Sequence, residues 1–134
     1  MTKSKDSNKS INAATCLLLS IAYADEKLEE KEIIIIKEII SDFFSLSKEI
    51  TNSFYEQAID NIKVSTDLFK FGKVLNDEFT YQDKLDFIGC IFEVAFSDGE
   101  LHYIESHRIK LIANILNLNH KDLIQSKMEI KRFL

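Results

Sequence analysis

Residues 92–109 read FEVAFSDGELHYIESHRI, and residues 21–32 read IAYADEKLEEKE. Both stretches have an apolar segment, then an aspartate, a leucine one turn later and a glutamate one turn after that. The corresponding residues are Ile21, Ala22, Asp25, Leu28 and Glu32 in the first copy, and Val94, Ala95, Asp98, Leu101 and Glu105 in the second. The sequence therefore predicts one helix–turn–helix unit that occurs twice.

The rest of the chain has the composition and spacing of a helical protein. It contains no proline and only three glycines among 134 residues, and no strand-like alternation. We predict an all-α fold, a single compact bundle of about seven helices built from two pseudo-two-fold-related repeats. Residues 1–10 are expected to be a disordered lead-in and residues 11–134 one helical domain, with repeat one at about 11–50 and repeat two at about 80–124.

Apolar spacing and capping residues place the individual helices. The first is expected from Ser10 or Asn12 to Ala24, and the second from about Glu29 to Phe44. The inward stripe of the second is Ile36, Ile39, Ile40 and Phe43, matched in the other repeat by Ile109, Ile112, Ala113 and Leu116. Later helices are expected to be capped by Ser47, by Ser65 or Thr66, by Thr80 with Asp83, and by Asn119. Their predicted inward residues include Ile50, Phe69, Ile124 and Met128.

Bulk properties exclude several classes of protein. The net charge of −5 disfavours nonspecific nucleic-acid binding. No apolar run, the four isoleucines Ile33–Ile36 included, is long enough to span a bilayer, and the polar N-terminal segment lacks the apolar core of a signal peptide. A cytoplasmic protein is the expectation. Cys16 and Cys90 lie within apolar helical patterns and are interpreted as small buried hydrophobes, although a disulfide between them is geometrically conceivable.

The stretch from Val94 to Leu118, VAFSDGELxxxExxxIxxIAxxLxL, resembles the signature of TerB-like domains, the tellurite-resistance-B-related helical domains of bacteria. The resemblance covers residues 11–132. It implies a domain linked to metal or chemical stress, with an acidic cluster suspected of binding cations, and it implies no established enzymatic activity. The first copy departs from the pattern, because Glu26 stands at the glycine position and Lys27 where the second copy has Glu100.

Two interpretations of the acidic residues remain open. Asp25, Glu32, Asp98 and Glu105 extend the inward faces of their helices, so they could converge on a Ca²⁺ or Mg²⁺ ion, less favourably Zn²⁺. His102 would be an additional donor for a transition metal. Alternatively, the aspartates accept hydrogen bonds from the next helix and the glutamates, at the third helical position, only cap it.

The isoleucine run holds a residue that the repeat does not explain. Ile34 points away from the stripe of its helix, and we expect the phenylalanine-rich segment 63–79 to cover it. If it is exposed, it marks a partner surface. The function predicted is a cation-responsive, protein-interacting and non-enzymatic module of a bacterial stress or envelope-associated system, with a protein partner or self-association. The alternatives are a purely structural adaptor and, with the least support, a metal-assisted hydrolase.

Overall fold

Helices account for nearly all the regular structure of the chain. The computed structural model describes residues 5–23, 29–64, 67–97, 101 and 103–133. Within those ranges there are seven α-helices and no β-strand, which confirms the all-α prediction. The helices are α1 (Asn8–Ala22), α2 (Glu30–Phe44), α3 (Lys48–Val64), α4 (Leu68–Glu78), α5 (Tyr81–Ala95), α6 (Tyr103–Ile115) and α7 (His120–Arg132).

Helix α1 is the centre of the bundle. It packs against α2, α3, α4, α5 and α6, and almost every residue from Ser10 to Ala22 is buried. A helix that is covered on all sides must be apolar all round, and its polar residues must be satisfied locally. Thr15 Oγ1 donates to the carbonyl oxygen of Ile11 at 2.7 Å, and Ser20 Oγ donates to that of Leu17 at 2.6 Å. The pseudo-two-fold relation between the repeats stays a prediction.

The predicted inward stripes of α2 and α6 are confirmed over most of their length. Three of the four predicted stripe residues of α2 are buried, namely Ile36, Ile39 and Ile40, and all four are buried in the second repeat: Ile109, Ile112, Ala113 and Leu116. At the end of α2, Phe44 is buried while Phe43 is only partly covered. Both join a cluster of aromatic rings with Phe79 and Phe87. This cluster closes one end of the core.

Most of the predicted caps are present. The hydroxyl of Ser47 accepts from the amide of Ile50, Thr80 and Asp83 form a reciprocal capping box, and Asn119 caps α7. Two helix starts differ from the prediction. The side chain of Asp67 caps α4, because it directly precedes Leu68 and accepts from the amide of Lys70 at 3.2 Å. Ser7 caps α1, which therefore begins at Asn8.

Several residues predicted to face inward are exposed. Ile50 is 49% exposed, and the buried face of α3 instead begins with Thr51 and Tyr55. Thr51 is tolerated inside because its hydroxyl donates to the carbonyl oxygen of Ser47 at 2.8 Å. On outer helices with fewer neighbours, Phe69 of α4 is 70% exposed and Met128 of α7 is 59% exposed. Ile124 is also exposed, whereas Leu123 is buried.

Both cysteines are free, and they behave as the small hydrophobes that the pattern predicts. Cys16 is buried on α1, and burial raises the pKa of its thiol to about 11. Burial, together with the charges of Glu93 and Asp86, raises the pKa of Cys90 to about 12. None of the helices described here is long and apolar enough to cross a membrane.

Candidate functional site

Glu32 is placed at the third residue of α2, as predicted. Its carboxylate Oε1 accepts a hydrogen bond from the amide of Glu29 at 3.2 Å, while the amide of Glu32 donates to the carbonyl oxygen of Glu29 at 3.0 Å. The two residues form the capping box expected at this helix start, and Glu32 is half-buried. Its carboxylate therefore has a structural task at the first turn of α2.

Glu105 occupies the same position, the third residue of α6, in a more enclosed setting. Its side chain is 7% exposed, which makes it the one buried charged residue in the parts of the chain that the structure describes. The amide groups at a helix start favour a negative charge there, but removing a carboxylate from water is still costly. A buried carboxylate at the start of a helix is therefore a candidate metal-coordinating residue.

Arg108, one turn after Glu105, connects α6 to α1. Its Nη1 donates to the carbonyl oxygen of Ser20 at 3.0 Å. Ser20 is buried in the last turn of α1, just before the segment that contains Asp25. The hydrogen bond therefore holds the end of α1 beside the first turns of α6. On a helix, residues three apart share a face, so Glu105 and Arg108 lie on the same side of α6.

The other two predicted ligands, Asp25 and Asp98, lie outside the described residues, as does His102. Among the residues that are described, no three or more histidines, cysteines, aspartates and glutamates are grouped to hold a metal ion. Of the four predicted carboxylate ligands, the structure describes Glu32 and Glu105. These two residues lie on helices that share packing partners, since α2 and α6 both pack against α1 and α5.

The predicted cover of Ile34 is wrong. Its side chain is 51% exposed and borders a groove of about 490 Å³ between α2 and α3. Segment 63–79 includes α4, which packs on α1 and α6 and so does not cover this face of α2.

Sequence reasoning also missed Arg108, because nothing in the local pattern indicates a partner in a distant helix. Helix packing alone decides both points.

Comparison with known proteins identifies one relationship. The family model described as tellurite resistance protein TerB matches residues 12–128. No curated protein and no solved structure matches the chain. The matched range contains both copies of the acidic pattern, with Asp25, Glu32, Asp98 and Glu105.

Proposed function

The chain belongs to the TerB family of tellurite resistance proteins, and we propose that it is a non-enzymatic helical module that responds to a divalent cation. Asp25, Glu32, Asp98 and Glu105 supply the ligands. Carboxylate oxygens suit Ca²⁺ or Mg²⁺, and Zn²⁺ less well. The response serves a bacterial metal or chemical stress system, in which the module binds a protein partner.

The burial of Glu105 is the observation that carries this proposal. Its carboxylate is enclosed at a helix start, beside the end of α1 that Arg108 holds in place. The chain continues from that end of α1 to Asp25 within a few residues, and Asp98 precedes α6 by a few residues. Both aspartates therefore belong to the connections that join α1 to α2 and α5 to α6.

The mechanism follows from these connections. A cation shared by the α1–α2 and α5–α6 connections joins the two repeats at a seam on which α1 already packs. Fixing the seam changes the exposed surface that the neighbouring helices present. Because carboxylates brought close together repel one another, a bound ion would stabilise the joined arrangement over alternatives in which they separate.

A structural adaptor is the second candidate function, and the capping box of α2 favours it. The carboxylate of Glu32 is already used by the amide of Glu29. If Glu105 serves α6 in the same way, the acidic residues only end one helix and begin the next. The module would then present fixed surfaces to its partners and would not respond to cations.

We propose a non-enzymatic module because the sequence contains no recognisable catalytic motif. The sequence has no HExxH motif and no glycine-rich phosphate loop. The two cysteines, with thiol pKa values raised to about 11 and about 12, remain protonated at neutral pH.

Thermal unfolding of metal-stripped protein tests the proposal. Saturating Ca²⁺ or Mg²⁺ is expected to raise the melting temperature of the wild type, and the double variant Asp25→Asn/Asp98→Asn is expected to lose that response. The double variant Asp60→Asn/Asp77→Asn, which removes two exposed carboxylates on α3 and α4, is the matched control. No shift with Ca²⁺, Mg²⁺ or Zn²⁺ would exclude the cation and leave the adaptor.

A further inference from the structure

A groove of about 480 Å³ lies where α2, α5 and α7 meet. Its floor is apolar. The apolar lining residues are Ile35, Ile39, Phe96, Ile130 and Phe133. Phe133 is 85% exposed, so a large aromatic ring stands at the edge of the groove with little cover from the rest of the chain. The volume is that of an ordinary ligand pocket and is sufficient for a few apolar side chains.

The charged residues around this floor all have the same sign. Among the residues that the structure describes, they are Glu38 and Asp42 on α2 and Glu93 on α5. Glu38 and Asp42 are one turn apart on the exposed face of α2, and Glu93 stands across the groove from them. Neighbouring groups partly desolvate Glu93, which raises its pKa. A cation placed beside Glu93 would relieve that cost.

The acidic surface continues beyond the groove. A second, more polar groove along the seam of α5 and α7 is lined by Asp86, Asp122 and Glu129. Lys131 and Arg132 are close in sequence, in the last turn of α7, but neither lines the apolar groove. An approaching positive chain therefore meets negative charge on the α2 side and on the α5 side of the groove.

We propose that this groove docks a basic amphipathic segment of a partner protein, with its apolar side chains on the floor and its lysines or arginines beside Glu38, Asp42 and Glu93. An apolar groove with acidic edges is the complement of such a helix. The groove between α2 and α3 is a weaker candidate. That groove is lined by Lys37 and Lys48 as well as by Glu38 and Asp42, so its charge favours neither a basic nor an acidic partner.

Two residues that line the groove are close in sequence to candidate cation ligands. Ile35 follows Glu32 by one turn on α2, and Ser97, which lines the groove, directly precedes Asp98. The docking itself requires no ion. The groove is the partner surface of the module proposed above, and its assignment rests on that proposal. A Ca²⁺ effect on docking would be a separate result that bears only on the cation proposal.

Fluorescence anisotropy with a synthetic probe tests the docking. The probe is a labelled peptide of leucine and lysine of about 14 residues, with the leucines along one face of four helical turns. A second peptide with glutamate in place of lysine is its control. The protein is the full chain in EDTA, with a parallel series in Ca²⁺. Analytical ultracentrifugation of the chain alone reports self-association.

Two groove variants and one matched variant give the outcome. Glu38→Lys/Asp42→Lys/Glu93→Lys is expected to weaken binding of the basic peptide at least about tenfold. Phe133→Ser, a change at an exposed ring, is expected to weaken it severalfold. Glu56→Lys/Asp60→Lys/Asp77→Lys makes the same change in net charge at exposed positions outside the groove and is expected to leave most of the affinity.

Other outcomes overturn the proposal. Equal loss in the groove and matched charge variants means that the peptide binds the net charge of the protein and not the groove. If the acidic control peptide binds as tightly as the basic peptide, the acidic residues of the groove do not select a basic partner. A dimer of the chain that Phe133→Ser dissociates assigns the groove to a second copy. Equal binding to the wild type with and without Ca²⁺, by contrast, supports the docking proposal, because docking requires no ion.

Discussion

Arg108 on α6 donates a hydrogen bond from Nη1 to the carbonyl oxygen of Ser20 on α1, at 3.0 Å. The two residues belong to the two predicted repeats and are 88 positions apart. The bond brings the last turn of α1 to the first turns of α6, next to the buried Glu105. It is the described contact that most directly connects the two acidic segments.

Arg108→Ala is expected to lower the free energy of unfolding by about 1–3 kcal/mol, because it removes a charged donor and leaves a buried carbonyl group without it. Urea denaturation at neutral pH measures the change. Arg132→Ala, at the exposed end of α7, is the matched control and should alter stability by less than about 0.5 kcal/mol. An Arg108→Ala protein as stable as the wild type would show that this contact does not hold the seam.

Substitutions of Glu32 distinguish a capping role of its carboxylate from a role in cation binding. Glu32→Ala is expected to cost about 0.5–1 kcal/mol through loss of the capping box. Glu32→Gln keeps an oxygen that can accept from the amide of Glu29, so it should be nearly as stable as the wild type in EDTA. If Glu32 is also a ligand, Glu32→Gln should lower the Ca²⁺-induced rise in melting temperature. A full response in Glu32→Gln assigns this residue to capping alone.

Gly72 marks a close approach between α4 and α6. A Cβ atom at this position would overlap the side chain of Ile115. Gly72→Ala is therefore expected to destabilise the protein by about 1–3 kcal/mol. Gly89 on α5 is the matched control, because its Cβ would lie 3.9 Å from Ile130 Cδ1, an ordinary contact. Gly89→Ala should raise the free energy of unfolding by roughly 0.5–1 kcal/mol, measured by chemical denaturation. Changes of opposite sign in the two variants would confirm the close packing of α4 on α6.

The raised pKa of Glu93 predicts a pH dependence. Its folded pKa lies above the unfolded value because neighbouring groups partly desolvate it, so at pH values above the folded pKa the charged form is penalised in the folded state. The penalty disappears as the pH falls below the unfolded pKa. Glu93→Gln should therefore raise the melting temperature at pH 7 and have little effect near pH 3.5, a difference that calorimetry at the two pH values measures. An equal effect at both would refute the desolvation argument.

The sequence predicts the helices well where one face of a helix is covered along its length. The inward stripes of α2 and α6 follow from spacing alone, because Ile36 and Ile40, like Ile109 and Ile112, recur at helical intervals. The prediction fails for Ile50, Phe69 and Met128, which lie on faces that neighbouring helices do not cover. Hydrophobic spacing identifies a helix, but only packing decides which apolar residues a neighbour reaches.

The candidate site, too, is predicted in part by sequence spacing and in part determined by packing. The repeated spacing correctly places Glu32 and Glu105 at the third residue of their helices. It does not indicate that one is half-buried and the other almost fully buried, since that depends on the helices around each start. The groove of α2, α5 and α7 unites residues from three separate parts of the chain, and no local pattern signals it.

Calorimetric titration of Ca²⁺ into metal-stripped protein tests the central proposal most directly. The wild type is expected to bind the ion, and Glu105→Gln and Asp25→Asn/Asp98→Asn are each expected to weaken binding at least about tenfold, while Asp60→Asn/Asp77→Asn leaves it unchanged. Circular dichroism confirms that each variant is folded. Absence of binding to the folded wild type, or binding that is insensitive to these substitutions of Asp25, Asp98 and Glu105, would contradict the account.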